Sequence, residues 1–225
     1  MNKKSNTLSL IAIIIVCCTA MLIVDGMIRP AYATKSILKI ILFLVCPILY
    51  ARKYKNIDLK CLFQWNSQAM KFTFLLGFGV FSIILGAYFV IRNFFDFGPI
   101  ADLLVQNAGV NEKTFIFVAI YISFVNSLLE EFFFRGFAFL TLKRVTSRKV
   151  AYIISSLAFA AYHVAMMEGW FSVGLFMLAM AGLAVGAAIF NYLNEKTGTI
   201  YNSWIVHMFA NFAINTVGFI IFGIV

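Results

Sequence analysis

Residues 72–91 read FTFLLGFGVFSIILGAYFVI, a run of twenty residues without a charged side chain. A helix of about 20 apolar residues is long enough to cross the hydrocarbon core of a bilayer. The rest of the chain has the same character, because 63% of its 225 residues are hydrophobic and only 12% are charged. A soluble domain has about a quarter of its residues charged and cannot bury so much apolar surface in one core. The composition therefore predicts an integral membrane protein, and it disfavours a soluble enzyme, a disordered regulator or a nucleic-acid-binding domain.

Apolar runs of this kind predict about seven transmembrane helices, with six or eight left open. The predicted spans are Thr7–Val24, Ile37–Ala51, Phe72–Ile91, Thr114–Leu142, Val150–Met167, Gly169–Asn194 and Ile200–Val225. Ile37–Ala51 is short and carries Lys39 near its start, where we expect the long side chain to reach the membrane interface. Thr114–Leu142 is interrupted by three charged residues. The sequence thus predicts an all-α, polytopic helix bundle whose 26 phenylalanines mostly face lipid.

The distribution of lysine and arginine predicts the orientation of the bundle. If the N-terminus is cytoplasmic, twelve of these residues lie in inner segments and five in outer segments. The inner residues are Lys3, Lys4, Arg52, Lys53, Lys55, Lys60, Lys71, Lys143, Arg144, Arg148, Lys149 and Lys196, and the outer residues are Arg29, Lys35, Lys39, Arg92 and Lys113. Cytoplasmic loops carry the excess of positive charge in membrane proteins. The net charge of +9 therefore indicates membrane orientation rather than nucleic-acid binding.

Six of the polar residues inside the apolar runs are candidates for a functional site, because an ionisable group there costs about 2.5–3.5 kcal/mol on insertion scales. They are Glu130, Glu131, Arg135, His163, His207 and Asn211. Glu131 and Arg135 are four residues apart, so both lie on one helix face and can form an ion pair. The same spacing joins His207 to Asn211. At 1.5 Å of rise per residue, the glutamates and both histidines can meet at a similar depth.

Each of these residues alone has an ordinary structural explanation. A buried histidine is often a helix contact, an ion pair can fix helix packing, and an asparagine commonly joins two helices. Together they contain the groups that hydrolyse an amide, namely a carboxylate or metal that activates water and donors that stabilise an oxyanion. The competing interpretation is a non-catalytic membrane protein, such as a proton or ion pathway, a transporter or a scaffold, that uses the same polar cluster.

Three strings occur in order along the predicted helices: EEFFFRG at residues 130–136, FAAYH at 159–163 and HMFAN at 207–211. Together they resemble the CAAX-protease and bacteriocin-processing (CPBP) family. That family includes the type II CAAX prenyl proteases and the proteins called abortive-infection (Abi) or lysostaphin-resistance-like. The resemblance covers about Val118–Phe212. It implies that residues 1–113 are variable N-terminal helices and that residues 114–225 are the catalytic helices of one membrane domain.

The resemblance implies an intramembrane endopeptidase. Its implied roles are water activation by Glu130 with His163, oxyanion stabilisation by His207 and Asn211, and an ion pair of the catalytic Glu131 with the structural Arg135. A metal-free, glutamic-type mechanism without a cofactor is favoured. Zinc is the alternative, with His163, His207 and Glu130 as its ligands.

The resemblance also implies the setting in which the protein works. Its substrate would be a membrane-embedded peptide or protein, either prenylated or a precursor, and no nucleic acid is expected as a partner. A compact multi-pass protein of this kind suits a bacterial cell membrane, with the N-terminus in the cytoplasm. Bacteriocin self-immunity or peptide processing follows only by analogy with the family.

Overall fold

The computed structural model describes residues 3–54 and 57–225, which form helices and turns without a β-strand. Seven helices in this part of the chain are long and apolar enough to cross a membrane, as predicted. Numbered along the chain as the first to seventh spans, they are Thr7–Ile28, Tyr32–Lys53, Ser67–Ile91, Glu112–Val145, Arg148–Met167, Val173–Thr197 and Tyr201–Ile221. Lys55, which the charge distribution places in an inner loop, lies outside the described residues, as do the side chains of Lys3 and Lys4.

Within residues 3–54 and 57–225, four of the helical stretches are π-helical. The α-helical segments are Lys3–Ile23, Tyr32–Ile40, Cys46–Lys53, Ser67–Ile91, Gly98–Ala108, Glu112–Tyr121, Ser127–Glu130, Leu142–Val145, Arg148–His163, Val173–Thr197 and Tyr201–Ile221. The π-helical segments are Val24–Ile28, Ile41–Val45, Ile122–Asn126 and Glu131–Thr141, and the 3-10 turns are Lys60–Phe63 and Ala165–Met167. Because π-helices occur mostly as single turns, the eleven residues of Glu131–Thr141 make an unusually long example.

The fourth span is longer than the predicted Thr114–Leu142, and its charged residues do not break it. Asn111 begins it, with a side chain that accepts hydrogen bonds from the backbone N–H groups of Lys113 and Thr114 over 3.1 and 3.2 Å. The helix Gly98–Ala108 precedes this cap but has only 11 residues, too few to cross the bilayer. The apolar pieces between the third and fourth spans therefore do not add an eighth span.

The centre of the bundle is rich in aromatic side chains. Phe43 of the second span stacks on Phe133 of the fourth at a ring-centroid distance of 4.3 Å, and Phe134 lies 5.7 Å from Tyr162 of the fifth. Nine of the 26 phenylalanines are buried. The expectation that phenylalanine mostly faces lipid is therefore wrong for the fourth span, because residues 129–139 are buried without exception.

The turn Lys60–Phe63 links the fourth and seventh spans at one end of the bundle. The carbonyl oxygen of Leu62 accepts hydrogen bonds from Ile200 N and Thr199 Oγ1, each over 2.9 Å, just before the seventh span begins. The Leu62 side chain lies against Gly136 of the fourth span, where an added Cβ would lie 2.6 Å from Leu62 Cδ1. Glycine at residue 136 thus permits this close approach, which fixes the start of the seventh span relative to the fourth.

Candidate active site

Two adjacent carboxylates lie in the buried middle of the fourth span. Glu130 ends an α-helical segment and Glu131 begins the long π-helical one. Their exposed fractions are 1% and 0%, respectively. Ionised side chains so far from water require partners, because an unpaired buried charge is strongly unfavourable. The partners of the two carboxylates differ, and this difference separates their roles.

Glu131 joins the fourth span to the seventh. Its Oε1 accepts a hydrogen bond from His207 Nδ1 over 2.9 Å, and its Oε2 lies 3.4 Å from Arg135 Nε. Because a carboxylate only accepts hydrogen bonds, the proton of this contact lies on His207 Nδ1. Glu131 therefore fixes the ring orientation of His207 while it pairs with the arginine one turn further along its own helix.

Arg135 is fully buried and lies between two aromatic rings. Its guanidinium carbon is 4.0 Å from the ring centre of Phe159 and 5.1 Å from that of Phe190. Among the described residues, none of its three guanidinium nitrogens has a hydrogen-bond partner. The cation is therefore stabilised by the carboxylate charge and by the two ring faces, since a desolvated cation–π contact is favourable by about 2 kcal/mol.

Glu130 has one oxygen engaged by donors and the other directed to a histidine. Its Oε1 accepts hydrogen bonds from Asn126 Nδ2 over 2.9 Å and from Lys39 Nζ over 3.1 Å. Its Oε2 lies 3.8 Å from His207 Nε2, beyond direct hydrogen-bond distance. Two polar atoms beyond direct hydrogen-bond distance can be joined by a bridging water.

His163 lies near the end of the α-helical part of the fifth span, with its ring 4.5 Å from that of Phe159. Its Nδ1 donates a hydrogen bond to the backbone carbonyl of Phe159 over 2.7 Å. Because a carbonyl only accepts, the proton lies on Nδ1, and a neutral ring keeps its lone pair on Nε2. His163 is also close enough to interact electrostatically with Glu130.

Asn211 lies one turn beyond His207 but contacts backbone. Its Nδ2 donates to the carbonyl of Ile122 over 3.1 Å, and Asn215, one turn further, donates to the carbonyl of Ala119 over the same distance. Both asparagines thus join the seventh span to the fourth, next to the π-helical segment Ile122–Asn126. The second N–H of the Asn211 amide is left over for another acceptor.

Lys39 and Asn126 are site residues that were not predicted. The expectation that Lys39 reaches the membrane interface is wrong, because its side chain is buried and its ammonium donates hydrogen bonds to Glu130 and Asn126. Asn126 precedes Glu130 by four residues, and residues with this spacing lie on one face of a helix. The spacing could therefore have predicted the contact of Asn126 with Glu130. Lys39 lies 91 residues from Glu130, and only the position of a lysine inside an apolar run could have drawn attention to it.

The described residues do not fit the zinc alternative. Among them, no three His, Cys, Asp or Glu side chains are grouped so that they could hold a metal ion. His163, His207 and Glu130 therefore do not form the expected ligand set. The Lys39 ammonium also pairs with Glu130, and its positive charge would repel a metal ion bound to the same carboxylate.

Comparison with known proteins identified one relationship. Residues 112–213 match a family model described as Type II CAAX prenyl endopeptidase Rce1-like. The match includes Glu130, Glu131, His163, His207 and Asn211, whereas Lys39 lies outside it. The comparisons with curated proteins and with solved structures found no significant match.

Proposed function

We propose that the chain, whose residues 112–213 match the model of the Rce1-like type II CAAX prenyl endopeptidases, hydrolyses a peptide bond within the membrane by a metal-free, glutamic-type mechanism. The observation that carries this proposal is the arrangement of Glu130. This buried carboxylate has Oε1 engaged by Lys39 and Asn126, while Oε2 lies opposite His207 Nε2 across 3.8 Å. An oxygen that is free of donors and faces a polar gap is suited to take a proton from water.

In the proposed reaction, Glu130 Oε2 takes one proton from water as the water oxygen adds to the carbonyl carbon of the substrate. His163 Nε2, with its lone pair, accepts a hydrogen bond from the same water and orients it. The proton held by Glu130 then passes to the amide nitrogen as the carbon–nitrogen bond breaks. The products are a carboxylic acid and an amine, so atoms and protons balance.

His207 has the geometry to stabilise the oxyanion in its doubly protonated form. Its Nδ1 already donates to Glu131, so a second proton on Nε2 gives a donor directed toward the gap beside Glu130. The carboxylate of Glu131 compensates the positive charge of that imidazolium ring. The remaining N–H of Asn211 is the second proposed oxyanion donor. Removing one such donor typically lowers the rate by a factor of about 100–1,000.

The proposed substrate is a membrane-associated peptide or protein, either prenylated or a peptide precursor. A fully buried catalytic group requires the scissile bond to enter the membrane region of the bundle, so a segment with its own lipid or apolar anchor is suited to reach it. The proposed setting is a bacterial cell membrane with a cytoplasmic N-terminus. This orientation is supported by the excess of lysine and arginine in the predicted inner segments.

The test is cleavage of a membrane-anchored peptide reporter by the purified protein in detergent. Glu130→Gln, His163→Ala and His207→Ala should each reduce kcat by at least about 100-fold while the protein still folds. Glu195→Gln is the matched control, since Glu195 pairs with Arg148 and Lys143 at the other end of the fifth and sixth spans. If all three variants keep wild-type activity, the proposed site is wrong. Proton flux into liposomes without reporter cleavage would support the non-catalytic alternative.

A further inference from the structure

Lys39 contributes the only buried ammonium among the lysines whose side chains are described. It lies in the second span, at the end of the α-helical segment Tyr32–Ile40, and it donates hydrogen bonds to Glu130 Oε1 and Asn126 Oδ1. Its Nζ also lies 4.9 Å from the ring centre of Tyr162. This lysine therefore has three separate contacts, all of them with the fourth and fifth spans.

The contacts of Lys39 and Asn126 select one oxygen of Glu130. Lys39 Nζ and Asn126 Nδ2 both donate to Oε1, and Lys39 also donates to the Oδ1 of the same asparagine. The three side chains thus form a closed triangle in which each hydrogen bond restricts the other two. A carboxylate held in this way cannot rotate about its own axis without losing two donors, so Oε2 stays directed toward His207.

The charge of Lys39 also balances the site. Two carboxylates, Glu130 and Glu131, are adjacent in the chain and fully buried. Arg135 compensates Glu131 from the same helix, and Lys39 compensates Glu130 from a different span. Without the ammonium, one buried carboxylate would be uncompensated, which is strongly unfavourable in a medium of low dielectric constant.

We infer that Lys39 is a positioning residue for the proposed peptidase, which holds Glu130 with Oε2 free and directed toward the attacking water. This inference rests on the proposed function and extends it to the N-terminal spans, outside the residues 112–213 that match the family. Asn126 completes the same arrangement from within the fourth span. The functional unit therefore includes a residue from the part of the chain where the sequence motifs gave no indication of a role.

Lys35 provides a matched control on the same helix. It lies one turn before Lys39 and pairs with the buried Asp25, with Nζ 2.6 Å from Oδ1. Lys35→Met and Lys39→Met thus each leave one buried carboxylate without its ammonium, but only Lys39→Met affects Glu130. Both variants should lower the unfolding temperature, whereas only Lys39→Met should change catalysis.

The experiment measures kcat and KM for cleavage of the membrane-anchored reporter. Lys39→Met should lower kcat by about 100-fold, as expected for a misplaced catalytic group, and leave KM unchanged. Lys39→Arg, which keeps the charge, should recover most of the lost kcat, and Lys35→Met should keep the wild-type kcat. Lys39→Ser, whose short side chain cannot reach Glu130, replaces Lys39→Met if that variant does not fold.

The outcomes separate the inference from the proposed function. A wild-type kcat in Lys39→Met or Lys39→Ser, in a protein whose activity is lost in Glu130→Gln, overturns the inference and leaves the proposed function intact. An equal loss of kcat in Lys35→Met and Lys39→Met also overturns it, because the effect would then be a general consequence of destabilisation. If Glu130→Gln keeps full activity, the proposed function fails and the inference fails with it.

Discussion

His207 Nδ1 donates a hydrogen bond to Glu131 Oε1 over 2.9 Å, which joins the seventh span to the fourth at the level of the buried carboxylates. This contact places the opposite ring nitrogen, Nε2, 3.8 Å from Glu130 Oε2. One glutamate therefore orients the imidazole, and the other faces it across a gap. The two adjacent carboxylates are assigned different roles because their contacts differ, although both are buried to the same degree.

Arg135→Lys should destabilise the protein even though the charge is kept. The guanidinium lies between the rings of Phe159 and Phe190, and the smaller ammonium cannot cover both ring faces. We expect a loss of about 2 kcal/mol in the free energy of unfolding, the size of a desolvated cation–π contact. Thermal unfolding in detergent measures this loss of stability. Arg148→Lys is the control, because Arg148 forms an exposed ion pair and its replacement should change stability little. Equal behaviour of the two variants would contradict the importance of the ring contacts.

Gly136→Ala should destabilise the link between the fourth and seventh spans. The added Cβ would lie 2.6 Å from Leu62 Cδ1, so either the leucine or the turn that carries it must move. Overpacking of this kind costs about 1–3 kcal/mol, and Leu62→Ala in the same chain should relieve part of it. Gly182→Ala is the matched control in a helix, because among the described residues no atom outside the adjacent backbone of its own helix lies within 4 Å of the added Cβ. A stable Gly136→Ala variant would show that this contact is not tight.

Asn211→Ala and Asn215→Ala should both lower stability, Asn215→Ala by more because Asn215 also donates to Ser123 Oγ over 3.0 Å. The two variants should differ in their effect on catalysis. Each asparagine donates to a backbone carbonyl of the fourth span over 3.1 Å, and interhelical hydrogen bonds in membranes are worth about 0.6 kcal/mol on average. Only Asn211 lies one turn from His207, so only Asn211→Ala should lower kcat. Thermal unfolding and reporter cleavage of both variants measure this. If both keep the wild-type kcat, the role of Asn211 is structural.

The hydropathy of the chain was sufficient to predict the spans, because a bilayer requires a long apolar helix wherever the chain crosses it. The pair of Glu131 with Arg135 could also be predicted, since residues four apart share one face of a helix. The pair of Lys39 with Glu130 could not be predicted, because hydropathy does not indicate which faces of distant spans meet. Nor does the residue pattern reveal that Glu131–Thr141 is π-helical, since that depends on which backbone groups pair.

The orientation of the bundle can be tested by labelling single cysteines from outside the cell, on a background in which Cys17, Cys18, Cys46 and Cys61 are replaced. A cysteine at Asp102, between the third and fourth spans, should react with an impermeant reagent. A cysteine at Lys149, at the start of the fifth span, should react only after the membrane is permeabilised. The reverse pattern would contradict the predicted cytoplasmic N-terminus and place the lysine-rich and arginine-rich segments outside.

The most direct test of the central claim is mass spectrometry of the reporter products formed in water labelled with a heavy oxygen isotope. The account predicts that the wild-type protein inserts one labelled oxygen into the new C-terminal carboxylate at each cleaved bond. It also predicts that Glu130→Gln, folded to the same extent, forms labelled product far more slowly than the wild-type protein. The Glu195→Gln control should form it at a rate comparable to that of the wild-type protein. Labelled product formed by Glu130→Gln at the wild-type rate would contradict the assignment of Glu130 as the group that activates water.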